Sequence, residues 1–521
     1  MDSLLNRLGS KVNSILTGFD RIVFKGSIRP ITHADGMESF LVARRIQNKD
    51  FKSYAVAQSQ AIVQSAEQIS REQCGNGIIP IQSLKERKEA LAHEQQKKNG
   101  TEQGLIGIWS CVESCNTFRS TYDAAKTYPA LSAVPGRCKH LYFYFDDPVY
   151  GFMSIRMQTW APYEIQIALN GREWLRRSLD KAGCGYHMSG NKFLHIDDPD
   201  LAQGFLDQQA RVEFEEVLRG FLPGVFPRMP EILGPGLSYY WTLWQSEVAK
   251  DYIFKSADAL CGLMADFQLH ALVTGKGSRI LKFFGCQVRS DGQPLSNRHP
   301  KIRTRTTDWY DGLRVRHWYD RNSVKFYNEH NVLRFEMTMN DPTRFMIYRY
   351  AQNQSKSGAK KLRPMRKGIA DTAARTEVSK NILDRFTEHM SAFEEKSRLG
   401  ELLSLVSSPF VRGGKRIRAL DVFGKDRELL SAISDPAFAV HGITNKKLQG
   451  ILAGTPWAKN KSDKQLSSRI SRHLMLLREQ GLIKKQPNQR KYMLTDKGRR
   501  ITAALDAASA TSVNDLLKLA A

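Results

Sequence analysis

The chain is poor in cysteine, has no long apolar run and carries far fewer acidic than basic residues. Seven cysteines in 521 residues are too few for a disulfide framework, so a reducing, cytoplasmic location is expected. No segment approaches the roughly 18 consecutive apolar residues of a membrane-spanning helix. Residues 1–18 lack the pattern of a signal peptide. A membrane partner is therefore not expected.

The shortage of acidic residues leaves a net charge of +25, from 78 Lys and Arg against 53 Asp and Glu. An excess of this size over a whole chain indicates a polyanionic partner, and without a membrane anchor that partner is nucleic acid. Hydrophobic residues make up 41% of the chain, enough to form cores rather than a disordered polymer. The length predicts two or three domains.

Alternating apolar positions between residues 139 and 170 predict three strands separated by turns at Asp147-Pro148 and Ala161-Pro162. A helix is expected after Asn170-Gly171, over residues 172–182. A strand is expected over 19–26 and a hairpin over 323–339, with its turn at 328–331. Apolar spacing predicts a helix over 38–72, and a polar, charged stretch without a helix breaker predicts a solvated helix over 84–103. Further helices are expected over 203–220, 240–272 and 370–410.

Residues 437–508 carry the sharpest pattern. Thr444 is expected to cap one helix and Asp463 a longer one, whose apolar positions, at spacings of four, four and three, form one buried stripe: Leu466, Ile470, Leu474 and Leu477. Gly481 then ends the helix, and two short strands follow around a basic turn. These two strands and their turn form a basic hairpin, the wing. The opposite face of the long helix and the wing carry the side chains expected to contact DNA: Lys464, Ser468, Arg472, Lys484, Lys485, Arg490 and Lys491.

The string LLREQGLIKKQPNQRKYMLTDKGRR resembles MarR-type winged helices, which implies that fold for the C-terminal region. A winged helix used only for protein contacts is the alternative. The predicted fold class is thus an α+β multidomain protein: a mixed α/β body with antiparallel sheets, followed by a C-terminal winged-helix domain. Four divisions are expected. They are an N-terminal α/β region (1–136), a central nucleic-acid-binding or catalytic body (137–350), a basic linker with helices (351–436) and the winged helix (437–521).

Cations and aromatic rings alternate between residues 298 and 318. Cations can hold phosphates while flat rings stack on unpaired bases, so this stretch is a candidate nucleic-acid surface. The alternative is a solvated loop leading into a strand that buries its rings. The candidate side chains are Arg298, Lys301, Arg303, Arg305, Trp309, Arg314, Arg316 and Trp318.

The hairpin over 322–342 offers a second kind of chemistry. Tyr327 is a candidate nucleophile for a phosphodiester, Glu336 a candidate metal ligand and Lys325 a candidate neutraliser of charge. The segment resembles part of the rolling-circle replication initiators of plasmids and filamentous phages. It departs from them at Glu329, where lysine is usual, and the chain has no His-hydrophobic-His motif. A salt-bridged structural hairpin is the alternative.

Two further sets of residues have the chemistry of metal ligands. Asp147 follows a predicted strand and Asp251 lies one predicted helical turn after Glu247, so with Glu336 these carboxylates could bind Mg²⁺ or Mn²⁺, as in transposases and ribonuclease-H-like nucleases. An ordinary Asp-Pro turn is the alternative for Asp147. The second set has the zinc-ligand spacing C-x3-C-x22-C-x-H and consists of Cys111, Cys115, Cys138 and His140. Buried free cysteines are the alternative.

Over most of its length the chain resembles a multicopy bacterial family attributed to mobile elements, through a GFDR start, an NGREWL centre and the winged-helix end. That resemblance implies no established activity. The favoured hypothesis is a mobile-element DNA-processing protein, a metal-dependent endonuclease, nickase or transposase-like enzyme. The alternative is a non-catalytic DNA-binding regulator or an RNA-binding component of a ribonucleoprotein. DNA is the expected partner, and RNA stays open for the body.

Overall fold

The structure is a computed structural model of the whole chain. It describes residues 2–81, 87–123, 128–289, 294, 300–309, 312–351, 359–393, 399–487 and 489–513. The chain forms two compact units, each discontinuous in sequence. Unit 1 comprises Met1–Ile15, Lys250–Met337 and Val378–Ala521, and unit 2 comprises Leu16–Ala249 and Thr338–Glu377. The four-part division drawn from the sequence stays a prediction.

The helices and strands alternate irregularly along the chain. The helices are α1 (Ser3–Leu8), α2 (Ala34–Ala43), α3 (Phe51–Cys74), α4 (Lys88–Asn99), α5 (Gly171–Ala182), α6 (Pro199–Gln209), α7 (Phe214–Gly220), α8 (Leu222–Val225), α9 (Met229–Leu233), α10 (Ala257–Thr274), α11 (Gly277–Phe283), α12 (Thr372–Met390), α13 (Leu399–Ser407), α14 (Arg427–Ile433), α15 (Ala437–His441), α16 (Asn445–Leu452), α17 (Asp463–Glu479) and α18 (Asp496–Ala510). The strands are β1 (Val12–Ser27), β2 (Ile79–Pro80), β3 (Gly104–Asp123), β4 (Tyr128–Asp147), β5 (Gly151–Gln158), β6 (Ile165–Asn170), β7 (Tyr186–Ser189), β8 (Lys192–Ile196), β9 (Tyr240–Phe254), β10 (Ile302–Trp309), β11 (Gly312–Tyr319), β12 (Asn322–Glu329), β13 (Val332–Met339), β14 (Met346–Arg349), β15 (Lys361–Pro364), β16 (Phe410–Arg412), β17 (Lys415–Ile417), β18 (Ile483–Lys485) and β19 (Tyr492–Leu494).

The mixed α/β class is confirmed. Among the described residues, eleven strands form a large mixed sheet, and the remaining strands pair as small antiparallel hairpins. In unit 2 the strand order is β1-β6-β5-β4-β3-β2, in which β2 is parallel to β3 and every other neighbouring pair is antiparallel. The predicted three-strand meander is therefore confirmed as β4, β5 and β6. The long partner strand β3 was not predicted from the sequence.

Asn170 explains why the meander turns into a helix. Its side-chain oxygen accepts hydrogen bonds from the backbone N–H groups of Arg172 and Glu173, which caps α5 as expected of an Asn before a helix. Leu175 and Leu179 then bury one face of the helix. By contrast, the single helix predicted over 38–72 is wrong. The chain breaks between α2 and α3 at Arg45, which has a left-handed backbone (φ 58°), without any Gly or Pro to mark the break.

The predicted helix over 240–272 is wrong in its first half, which forms strand β9. The apolar positions Trp241, Trp244, Val248 and Tyr252 recur every three or four residues and imitate a helix. Residues 248–254 are buried throughout, so the alternation typical of a half-exposed strand is absent. Lys250 tolerates this burial because its Nζ lies 2.7 Å from Asp2 and 2.8 Å from Asp384. Only α10 keeps the predicted helical state.

Unit 1 contains the strand order β10-β11-β12-β13-β9, with residues 250–254 of β9 at one side. The predicted hairpin is confirmed as β12 and β13, but its turn is shorter than predicted and consists of His330 and Asn331. His330 adopts φ 53°, as a two-residue hairpin turn requires. The rings of Phe326 and Phe335 pack against Phe386 of α12, which covers one face of this part of the sheet.

The C-terminal elements of unit 1 share one hydrophobic core that extends from Leu402 to Leu505. The stripe predicted on α17 is buried, and Thr444 caps α16 as predicted. The predicted cap of α17 is wrong by one residue: Ser462 is the N-cap and forms a capping box with Gln465. Strands β18 and β19 pair as the expected hairpin. No helix in the described ranges is long and apolar enough to span a membrane.

Candidate nucleic-acid interface

Strands β10 and β11 place the predicted cations and rings on one face of the sheet. Their antiparallel register sets Arg303 opposite Trp318, Arg305 opposite Arg316 and Trp309 opposite Gly312. Because side chains alternate along a strand, all of these positions share one face with Arg314. We call this surface the arginine–tryptophan face, and it consists of Arg303, Arg305, Trp309, Arg314, Arg316 and Trp318.

Arginine side chains stack on both tryptophan rings of this face. The Arg303 guanidinium lies 4.3 Å from the centre of the Trp318 ring, and that of Arg314 lies 4.3 Å from the centre of the Trp309 ring. In the described part of the chain, Arg303, Arg305 and Arg314 form no ion pair with a carboxylate. Carboxylates therefore do not neutralise these three guanidinium groups, and the N–H donors of the three arginines remain available to an anion.

The opposite face of β11 is buried, which explains why the cations face outward. Val315, His317 and Tyr319 alternate with the arginines and lie in the core. The His317 ring packs near Phe283, and its Nδ1 lies 2.8 Å from the Thr304 hydroxyl. Burial lowers the pKa of His317 to about 4, so the imidazole is neutral at physiological pH. The core face of β11 thus carries no charge.

The three candidate catalytic side chains lie together but are buried. Lys325 stands opposite Arg316 in the register, and Tyr327 follows it on the same face. The Lys325 Nζ lies 2.6 Å from Glu336 Oε1 and 5.6 Å from the centre of the Tyr327 ring, whose edge meets Trp309. Tyr327 is 4% exposed and Glu336 1%. The face therefore passes from exposed arginines on β10 to a closed ion pair on β12 and β13.

The carboxylates predicted to bind a metal with Glu336 have other contacts. Asp251 lies on strand β9 rather than on a helix, and both of its oxygens accept hydrogen bonds from Arg334, at 2.7 and 2.8 Å. Both side chains of this pair are fully buried. Asp147 belongs to unit 2, where its Oδ1 accepts from the backbone N–H groups of Val149 and Tyr150 in the turn. Each of these two acids therefore has a structural role within its own unit.

The predicted zinc ligands lie on neighbouring strands β3 and β4. Cys111 stands opposite His140, and Cys115 forms a hydrogen bond with Cys138. Burial, assisted by Arg156, lowers the pKa of His140 to about 4. Within the described ranges, however, no three cysteine or histidine ligand atoms lie within 4.8 Å of one another. The strands bring the four residues near each other without forming a tetrahedral set.

The C-terminal region presents a second basic surface in unit 1. Lys464, Ser468 and Arg472 are exposed along one face of α17, opposite its buried stripe. The hairpin of β18 and β19 adds four exposed cations: Lys484, Lys485, Arg490 and Lys491. The two lysines of β18 also line a cleft of about 1890 Å³ whose wall includes Arg289 and Arg427.

Asp20 was not predicted from the sequence to be a site residue. Strands β1 and β6 pair with Arg21 opposite Asn170, which brings the GFDR and NGREWL segments together. Arg172 Nε lies 3.9 Å from Asp20 Oδ1, and oxygens of Asp20 and Glu247 lie within 4.8 Å of each other. An acidic residue inside the strand predicted over 19–26 was the available signal, but its partners are distant in sequence.

Lys301 and Arg298 were also predicted to belong to the nucleic-acid surface. Lys301 is exposed just before β10, and its backbone N–H donates to Asp320. Arg298 lies outside the described residues.

Comparison with known proteins found no matching family model, no matching curated protein and no matching solved structure.

Proposed function

We propose that the protein binds nucleic acid, with the arginine–tryptophan face as a principal contact. The observation that carries this proposal is the pairing of arginines with partly exposed tryptophan rings on the edge strand β10 and its neighbour β11. Guanidinium groups bind phosphates bidentately, and indole rings offer stacking surfaces to bases. Arginines on an edge strand also discourage aggregation. That role would not require tryptophans interleaved with them.

A four-residue substitution tests this face. Arg303, Arg305, Arg314 and Arg316 are changed together to Gln in the full chain, and binding to labelled single-stranded DNA and RNA is measured against salt concentration. We expect weaker binding and a log–log salt slope smaller by about 3, since each lost phosphate contact removes about 0.7.

The control carries the same change of net charge at four exposed lysines of unit 2: Lys52, Lys97, Lys98 and Lys181. Equal effects of the two substitutions would mean that only net charge matters, and the proposal for this face would fail. An unchanged salt slope in the arginine variant would contradict it as well.

The C-terminal region is proposed to be a winged-helix domain that contacts duplex DNA through α17. Three features support this: the exposed Lys464, Ser468 and Arg472 on α17, the basic hairpin of β18 and β19, and a bridge that pairs Ile443 with Tyr492 as a third short strand. Changing Lys464 and Arg472 to Gln should weaken the binding of duplex DNA. The binding of single-stranded nucleic acid to the arginine–tryptophan face should stay unchanged. Loss of both kinds of binding would contradict two separate surfaces.

Metal-dependent phosphodiester cleavage is a second candidate function, favoured by one observation in unit 2. Oxygens of Asp20 and Glu247 lie within 4.8 Å of each other, a separation that one divalent cation could bridge. Nuclease assays with Mg²⁺, Mn²⁺ or chelator should show cleavage that Asp20→Asn and Glu247→Gln abolish. Asp147→Asn serves as the matched control, because Asp147 caps a turn. Cleavage that survives both substitutions would remove this pair from consideration.

A further inference from the structure

A short hairpin in the C-terminal region has a composition that packing does not explain. Strands β16 and β17 pair with Val411 opposite Arg416 and Arg412 opposite Lys415. The hydrophobic core of this region includes residues on both sides of the hairpin, Val406 and Leu420, but none within it. An isolated two-stranded hairpin without a packed face is marginal in water. Core packing therefore does not account for the hairpin, whose residues 410–416 are exposed.

The charges and apolar groups of the hairpin match the minor groove of a duplex. Arg412, Lys415 and Arg416 are exposed and the hairpin contains no acid, whereas Val411 beside them is 70% exposed. Proteins that enter the minor groove combine arginine or lysine with apolar side chains that reach between base steps. A hairpin that served only to resist edge pairing would carry cations without an exposed valine.

The tip of the hairpin is narrow because its turn consists of two glycines. Gly413 and Gly414 both have positive φ, 55° and 72°, as a type I′ turn requires. A Cβ atom at either position would meet nothing within 4 Å, so the protein itself leaves open space around the tip. A tip without side chains can approach the floor of a narrow groove closely.

A direct contact fixes the hairpin to the helix proposed to read DNA. The Arg412 guanidinium lies 3.4 Å from the carbonyl oxygen of Glu479 and 3.6 Å from its carboxylate, at the C-terminal end of α17. Strand β16 is therefore tied to α17 and would be carried to a duplex together with it. Binding of α17 in one groove would place a basic projection beside the same duplex.

We propose that the hairpin of β16 and β17 inserts Lys415 and Arg416 into the minor groove of duplex DNA when α17 contacts that duplex. This inference depends on the proposed duplex binding by the C-terminal region. Lys415 and Arg416 are used for the test because Arg412 also holds the hairpin to α17.

The test compares the full chain with a Lys415→Gln/Arg416→Gln variant on an A·T-rich duplex, with and without saturating distamycin, which fills the minor groove. Without distamycin we expect the variant to bind about tenfold more weakly, with a salt slope smaller by about 2. With distamycin the two proteins should bind equally, because the hairpin can no longer enter the groove. A Lys97→Gln/Lys98→Gln variant, with the same change of charge on α4, should bind like the wild type in both conditions.

Two outcomes would overturn the inference while duplex binding itself persists. One is equal affinity of wild type and hairpin variant without distamycin. The other is an equal loss of affinity in the variant with and without distamycin, which would assign the two cations to phosphates outside the minor groove. Absence of duplex binding by the wild type would instead refute the proposed winged-helix contact, and the minor-groove inference with it.

Discussion

Replacing Glu336 by Gln separates a structural from a catalytic role for the hairpin of β12 and β13. The Lys325–Glu336 ion pair spans 2.6 Å, with side chains that are 11% and 1% exposed. Removing one partner of a buried ion pair costs about 3–5 kcal/mol, because the other charge stays in a poorly solvated site. Lys325 keeps slight solvent access, so we expect Glu336→Gln to lower the free energy of unfolding by about 3 kcal/mol.

A double substitution provides the matched control. Lys325→Met with Glu336→Leu removes both charges and keeps apolar volume, so it should restore most of the lost stability. Tyr327→Phe, which removes only a hydroxyl group, should cost no more than about 1.5 kcal/mol. Urea unfolding monitored by tryptophan fluorescence measures all three variants.

One result would refute a purely structural role. It is a Glu336→Gln protein that unfolds at the wild-type urea concentration but has lost a metal-dependent nuclease activity that the wild type shows. A double variant as unstable as Glu336→Gln would also contradict the reasoning, because it would mean that the destabilisation does not arise from an unbalanced charge.

Three further predictions follow from the charges and the cores. A fragment of residues 399–513 should unfold cooperatively in a circular-dichroism melt. A fragment of residues 437–513 should not, because it lacks Leu402 and Leu429 of the hydrophobic core. Cooperative melting of the shorter fragment would contradict this prediction. The pKa of His317 is lowered to about 4 by burial, so its contribution to stability is complete above the unfolded-state pKa of about 6.5 and is lost as the pH falls toward 4. Urea titrations between pH 7.5 and 4.5 should therefore show a shallower decline of stability in His317→Gln, and equal slopes would refute the assignment. Duplex affinity of the full chain should fall by at least about a thousandfold between 50 and 200 mM salt, and a flat dependence would refute binding to a polyanion.

Part of the fold was predictable because it is encoded locally. The meander after residue 139 alternates with a period of two, and its turns contain proline. The buried stripe of α17 repeats at helical spacing, and Asn170 and Thr444 cap the helices that follow them. The interleaving of cations and aromatic rings between residues 298 and 318 likewise indicated a candidate nucleic-acid surface, although it did not predict strand β10. These signals involve neighbouring residues only, so no tertiary contact was needed to recognise them.

Tertiary structure decided the features in which sequence and fold differ. Strand β9 lacks alternation because both of its faces are covered along 248–254, and that covering comes from elements far away in the chain. The pairing of β1 with β6 brings Asp20 to Arg172 across about 150 residues, which no local pattern contains. The exposure of a carboxylate cannot be read from its residue type. Only the folded structure shows that Glu336 is buried in an ion pair with Lys325. By itself the sequence determined charge, periodicity and caps, whereas long-range strand pairing determined which of the charged side chains reach solvent.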